Sequence, residues 1–514
     1  MDTCHEPGMP SPEAGSGERL AWFRPMEIPD LAPEELRRIA SLAADIRLSD
    51  PRIDALSHFG AGVHKGIGAG ACVWFGDTAE IPLLGRNRKE RLDYRLAWLA
   101  RDKDIVVMGG RNSPAFEAYQ RGWLDAPGLR YLNVDPETSS PRRAASMICL
   151  REPAGFEPLC RALAGRDSVT LHAHITTGTI WALAARLNQA TGAEIFVAGP
   201  PPLLSRHANN KIWFGEVAQR LLGTGTVPPK RTAYSGSALT RHVADLAGEW
   251  DRLVVKVPDS AGSVGNLPIR SEDIKRLKPA VLRRHLMAAL SVNDQLPVFP
   301  MLVEVWDANV LTSPSVQTWI PNPEEGPPLV EKIFEQVLQG EQATFAGAVA
   351  AVLPPAVEAQ LINGAQQLAA LFQQLGYFGR CSFDAIVTGA NLEKAAVHWI
   401  ECNARWGGAS IPMSLVHRLA QPGAQPHYCI VQNDDGPYRA LDFADALREF
   451  ADVAASPDLR SGILFLTPGM TESGAGCHFL ALGPDVHAAR NLAASTMQRL
   501  RMPPEVARGV ADVA

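Results

Sequence analysis

The chain has 514 residues, 49 Lys and Arg against 55 Asp and Glu, and a formal net charge of -6. That length suggests three or four domains at roughly 150 residues each, and the charge balance speaks against a nucleic-acid binder, which shows a basic excess. Eight scattered cysteines without C-x-x-C spacing speak against zinc or thioredoxin-like redox chemistry. No leader pattern and no apolar run near the ~18–20 residues of a membrane span can be read, so a cytoplasmic protein without a membrane partner is expected.

In chain order, residues 1–20 are rich in Pro, Gly and Ser and are expected to be a disordered tail. Residues 21–205 alternate strand and helix. Ile105–Met108, Val169–His174 and Ile195–Gly199 read as buried strands. Thr176-Thr177-Gly178 opens a helix that faces inward with Ile180, Leu183, Ala184 and Leu187. This rhythm implies an α/β domain on a largely parallel sheet. A helix carrying Lys211, Trp213 and Val217 lies between two proline-rich breaks. The Val357, Leu361, Ala365, Leu368, Phe372 and Leu375 spacing predicts a helix over 356–375, with Gly376 just past its end. Strands are expected at 462–467 and 477–482, and a last helix is expected from Asp485, its N-cap.

Two segments carry candidate chemistry. In Leu253-Val254-Val255-Lys256-Val257, a lysine sits in an apolar strand that runs into Ala261-Gly262-Ser263-Val264-Gly265-Asn266. Such a loop lets backbone N–H groups converge on phosphate oxygens, and a lysine among valines needs an anion. An edge-strand lysine with an ordinary turn is the alternative. In the strand 380–387, period two puts Cys381, Phe383, Ala385 and Val387 on a core face and Arg380, Ser382 and Asp384 on the other. The chain turns at Thr388-Gly389-Ala390-Asn391 and returns through Trp399, Glu401 and Asn403. Two carboxylates and an amide oxygen suit Mg²⁺ on nucleotide phosphates, and Arg405 beyond them suits a phosphoryl oxygen or a carboxylate. A solvent-facing hairpin with surface acids is the alternative.

Taken in order, Asn210-Lys211, Val254-Val255-Lys256 with its loop, Val303-Glu304-Val305, Asp384 and Glu401-Cys402-Asn403-Ala404-Arg405 resemble the ATP-grasp superfamily. Ser313–Gln317, Gln336–Gly340 and Asn403–Pro412 are similar to the peptide ligases of peptidic natural-product pathways, which carry a pre-ATP-grasp domain. The resemblance implies a mixed α/β and α+β multidomain fold. Residues 21–205 would form a Rossmann-like pre-ATP-grasp domain, 206–300 the N-lobe with the phosphate loop, 301–420 the C-lobe with the metal site, and 421–514 a small C-terminal α+β region.

The same resemblance implies roles. Lys211 and Lys256 would contact ATP phosphates under a loop of Gly262, Ser263, Gly265 and Asn266. Glu304 and the Val305 backbone would meet adenine, and Asp307 stands where the ribose acid is expected. Asp384, Glu401 and Asn403 would hold Mg²⁺, as a pair of ions. Arg405, Lys256 and Arg380 are the catalytic candidates, and Gly407, Gly408 and Ser410 would line the acyl site. The implied reaction is ATP-dependent joining of a carboxylate to the amine of an amino acid or peptide through an acyl phosphate, and a homodimer is compatible with it. A biotin-carboxylase-like or kinase-like enzyme and a non-catalytic ATP-binding protein are the alternatives.

Other signals are set aside. Gly66, Gly68 and Gly70 precede a strand rather than follow one, unlike a dinucleotide loop. His172 and His174 lack a third ligand. The cluster Arg86, Arg88, Lys89 and Arg91 reads as a solvated helix start, and Trp399 and Trp406 could shape an acyl pocket.

Overall fold

The computed structural model describes residues 25–81, 92–136, 143–260, 265–291, 298–421, 424–433, 441–468 and 477–501. The expected tail 1–20, the 86–91 basic cluster, Gly262 and Ser263 lie outside these residues. Among the described residues the strands form three sheets.

The first sheet is parallel, in the order Val63–Lys65, Glu194–Val197, Ser168–Ala173, Ala71–Phe75, Ile105–Met108, Arg130–Asn133. Its strands are short valine- and isoleucine-rich runs covered by helices, as a parallel sheet requires. The helix Gly178–Thr191 buries Ile180, Leu183, Ala184 and Leu187, as its spacing indicates, and the Thr177 side chain caps it. The glycines at 66–70 are there for close packing: a Cβ on Gly70 would stand 1.8 Å from the Ser168 carbonyl oxygen. His172 is buried and stacks on Trp74, with ring centroids 4.0 Å apart. Desolvation, and then the charge of Arg101, push its pKa down to about 3, so it is a neutral core group.

The second sheet is antiparallel, in the order Lys230–Ala233, Met301–Val305, Arg252–Lys256, Asn266–Arg270. The third contains the hairpin Gly379–Thr388 with Ala396–Asn403, and the strands Pro314–Ile320, Leu329–Gln339 and Thr344–Ala350. It then continues into His427–Asn433, Cys477–Gly483 and Gly462–Phe465. The strands after residue 420 therefore extend the sheet of 301–420 and share its core, so no boundary between sheets falls at that point.

The N-terminal helix Pro33–Ser49 also packs away from the parallel sheet. Its Ile39, Leu42, Ala43 and Ile46 join the core of the helix Pro355–Gln374, and Arg38 donates to Gln367 at 2.8 Å. Pairings between segments hundreds of residues apart leave no periodic trace, which is why composition could not place either piece.

Candidate active site

The hairpin is the centre of the site. Cys381, Phe383, Ala385 and Val387 are buried on its core face beneath the helix Pro355–Gln374. Asp384 pairs across the ladder with Glu401, and Ser382 with Asn403. The register then shifts, so that Ala385 pairs with Trp399 and Ile400 is the extra residue. This bulge corrects simple period two. Glu401 and Asn403 face the cleft, whereas Trp399 turns into the core against Phe383 and Gly364.

Asp384, Glu401, Asn403, Arg405, Lys211 and Lys256 line one cavity of about 430 Å³ with Asn266, Glu304, Val305 and Asp307. Asp384 accepts from Ser315 Oγ at 2.5 Å and from Asn403 Nδ2 at 2.9 Å. Desolvation, and then the negative charge of Glu401, push the Asp384 carboxyl up to about 7. Burial pushes Glu401 up as well, but Lys211, Arg405 and Lys256 outweigh it and hold this carboxylate below its usual range. Lys211 Nζ lies 2.6 Å from Glu401 and donates to the Ser260 carbonyl at 2.7 Å. It is the first residue of the helix Lys211–Leu222, whose N-cap Asn210 accepts from Ile212 N–H and Trp213 N–H. Lys256, in its valine run, is paired with buried Glu304 on the neighbouring strand.

Repulsion between two carboxylates in one cleft, with an amide beside them, fits a divalent cation among hard oxygen ligands. Among the described residues no three His, Cys, Asp or Glu side chains cluster to hold a metal without such help. The cation would therefore complete its shell with phosphate oxygens and water.

Several expected residues have specific neighbours. The Arg405 guanidinium donates to Asn209 and Asn403, which fix it at the cleft. Asn209 also accepts from Ala404 N–H at 3.2 Å. Val305 N–H is already used by the Pro229 carbonyl, so it does not serve as a hinge donor here. Asp307 is held by His398 Nδ1 at 3.0 Å. Gly407 N–H donates to buried Ser410 Oγ at 2.8 Å, so Ser410 shapes the glycine turn and does not face the cavity.

Arg380 is not brought to the cavity. Its side chain is 1% exposed and ion-paired with Glu331, which is 0% exposed. It also donates to the Thr318 carbonyl at 3.3 Å and to Ser414 Oγ at 3.2 Å. The guanidinium carbon lies 5.6 and 5.0 Å from the Trp319 and Trp406 ring centres. Arg380 shares the Asp384 face, but it sits near the strand start, beyond the cleft. The expectation of a catalytic Arg380 is corrected by this placement.

Sequence reasoning missed Asn209, Ser315, Arg95 and Gln432. Arg95 donates to the Gly408 carbonyl at 2.7 Å and to Gln432 Oε1 at 2.5 Å, which brings the first domain to the cavity wall. Asn209 abuts the Asn210-Lys211 motif and Ser315 lies inside the Ser313–Gln317 segment, so these two had a usable signal.

Comparisons with known proteins fit this architecture. Residues 93–189 match the model of the pre-ATP-grasp domain. The structure of N5-carboxyaminoimidazole ribonucleotide synthetase from Thermus thermophilus is similar over 85% of this chain and 99% of that one, at 12% identity and TM-score 0.50. The biotin carboxylase domain of Hydrogenobacter thermophilus 2-oxoglutarate carboxylase, complexed with MgADP, ADP and bicarbonate, covers 83% and 89% at 13% identity and TM-score 0.50. Campylobacter jejuni biotin carboxylase with an ATP analogue covers 82% and 88%, also at 13% and 0.50. A search of curated sequences found no match. The chain carries a pre-ATP-grasp domain followed by the ATP-grasp fold. Among the described residues no helix is long and apolar enough to cross a membrane.

Proposed function

We propose that the protein is an ATP-dependent carbon–nitrogen ligase that joins a small carboxylic acid to an amine through an acyl phosphate. The observation that carries this is the convergence of Lys211, Lys256, Asp384, Glu401, Asn403 and Arg405 on one cavity. Phosphoryl transfer rests on positioning and charge neutralisation, and these groups supply both. Mg²⁺, in our reading two ions held by Asp384, Glu401 and Asn403, neutralises the phosphates when bound. Lys211 and Lys256 hold the phosphate oxygens, and Glu304 keeps the Lys256 ammonium in place. Arg405, fixed by Asn209 and Asn403, faces the group in transfer. The acid's oxygen attacks the γ-phosphorus and ADP departs; the amine then attacks the acyl carbon, the C–O bond to phosphate breaks, and phosphate leaves as the amine loses its proton. Asp307, positioned by His398, takes the ribose.

The neighbours named as carboxylases support a second reading, in which bicarbonate is the acid. The cavity lining speaks for a larger acid: Phe345, beside Gly408, and Leu92 and Ile81 elsewhere in the wall give it apolar surface, which bicarbonate cannot use. The resemblance supports a peptide-like metabolite as the product, and in our reading the reaction is cytoplasmic. The test is ADP release across a panel of carboxylates and amines, with Lys256→Ala and Glu401→Ala as controls. Each control is expected to lose about 10²–10³ in rate. Full activity in both would overturn the proposal, and ADP release stimulated by bicarbonate alone would favour the second reading.

A further inference from the structure

A second cavity of about 530 Å³ lies between the pre-ATP-grasp domain and the lobe that carries Lys211. Arg405 lines both cavities. Glu80 and Thr177 form the wall on one side; Arg206, Asn209 and Asp259 form the other. Glu80 Oε2 accepts from the hydroxyls of Thr177 at 2.9 Å and Thr179 at 3.2 Å, at the start of the helix Gly178–Thr191. Asp259 Oδ1 accepts from Asn210 Nδ2 at 2.8 Å. Each carboxylate is thus held by one oxygen, and its second oxygen has no hydrogen-bond partner among the described residues. Arg206 is exposed in the last turn of the helix Pro202–Asn209, and its guanidinium makes no ion pair among the described residues.

From these groups we infer that the second cavity is the nucleophile site, and that it takes an α-amino acid with a free amine. The inference rests on the ligase reading above and names its second substrate. Two anchored carboxylates with open oxygens match an ammonium, and the uncommitted guanidinium matches a carboxylate. A zwitterion of amino-acid size satisfies both, and the volume lies within the usual range for a small-ligand site, about 300–1,000 Å³. Bicarbonate or another purely anionic nucleophile could meet the guanidinium groups of Arg206 and Arg405 but would leave both carboxylates without a cation.

Arg405 places this ligand next to the reaction. An acyl group activated in the first cavity lies on one side of the guanidinium, and the amine arrives from the other. The ammonium gives one proton to a carboxylate of the cavity. The freed lone pair attacks the acyl carbon, and the C–N bond forms. The C–O bond to phosphate breaks with its electron pair on the phosphate oxygen. The amine's second proton leaves with the phosphate. Glu80 and Asp259 orient the nucleophile, while the charge neutralisation stays with the first cavity.

The test is equilibrium binding of each of the twenty amino acids to the full chain, with magnesium and a non-hydrolysable ATP analogue present. At least one is expected to bind, and its N-acetyl derivative, which lacks the ammonium, should bind at least tenfold more weakly. Glu80→Gln and Arg206→Ala should each weaken binding at least tenfold, with unliganded melting temperatures unchanged. The inference is overturned if no amino acid binds, if the N-acetyl derivative binds as well, or if both variants bind normally. Hydroxylamine trapping on the unmodified protein separates the two levels. Hydroxamate without amino-acid binding leaves the ligase reading standing and removes this site. Absence of both hydroxamate and ADP across a carboxylate panel removes the ligase reading itself.

Discussion

Arg380 separates a structural from a chemical role most sharply. Replacing it by Met takes the guanidinium away from Glu331, a carboxylate that is 0% exposed. Breaking a buried ion pair from one side typically costs about 3–5 kcal/mol. The lost bonds to Thr318 and Ser414, and the lost stacking near Trp319 and Trp406, favour the upper part of that range. At about 2–4 °C per kcal/mol for a cooperative unit of 150–250 residues, the melting temperature should fall by roughly 6–20 °C. The double variant Arg380→Met with Glu331→Leu removes both charges, and replacing a buried pair with apolar residues is often close to neutral. Calorimetric melting and ADP release are measured on all three proteins. The double variant should regain most of the lost stability and should retain turnover, because neither side chain reaches the cavity. A single variant with wild-type melting temperature and no turnover would refute this reasoning.

Other outcomes follow from the same geometry. Asn209→Ala removes an acceptor that fixes Arg405; kcat should fall about 10–100-fold with the KM for ATP nearly unchanged, since a misplaced group near the chemistry costs on that order. Gly408→Ala brings a Cβ to 2.6 Å from Phe345 Cε1, so the ring must move and the KM for the acid should rise more than the KM for ATP. For His172, the folded pKa of about 3 lies below the unfolded value. The unfolded chain then binds the extra proton, and stability falls as pH drops from about 6.5 towards 3, by about 1.4 kcal/mol per unit. Asp77, pushed up to about 6 by burial, has the opposite sign: its contribution is present at low pH and is lost as pH rises through 6. The difference between wild type and His172→Phe isolates the histidine. The variant should lose less stability between pH 6 and pH 4 in denaturant titrations, and equal losses would contradict the assignment.

The local elements were legible in the sequence because they are written in period. The helix Pro355–Gln374, the core face of Gly379–Thr388 and the Asp485 cap at 2.8 Å to Ala488 N–H all follow from spacing and propensity. The ordered lysines, acids and arginine pointed to the cleft because a polyanion and a cation require those groups. Period two could not reveal the bulge at Ile400, which separates Trp399 from Glu401. It also could not tell Arg380 from Asp384, since the distance along a strand from the cleft depends on where the sheet ends. Asn209 and Arg95 act through partners about 200 and 300 residues away, and such pairing is set by topology alone.

The central claim is that this cleft activates a carboxylate as its acyl phosphate. The direct measurement is ATP-dependent hydroxamate formation with hydroxylamine across a carboxylate panel, with the nucleotide product identified. The account predicts hydroxamate and ADP in equal amounts, both strongly reduced in Glu401→Ala. Hydroxamate accompanied by AMP and pyrophosphate, or turnover untouched by Glu401→Ala, would contradict it.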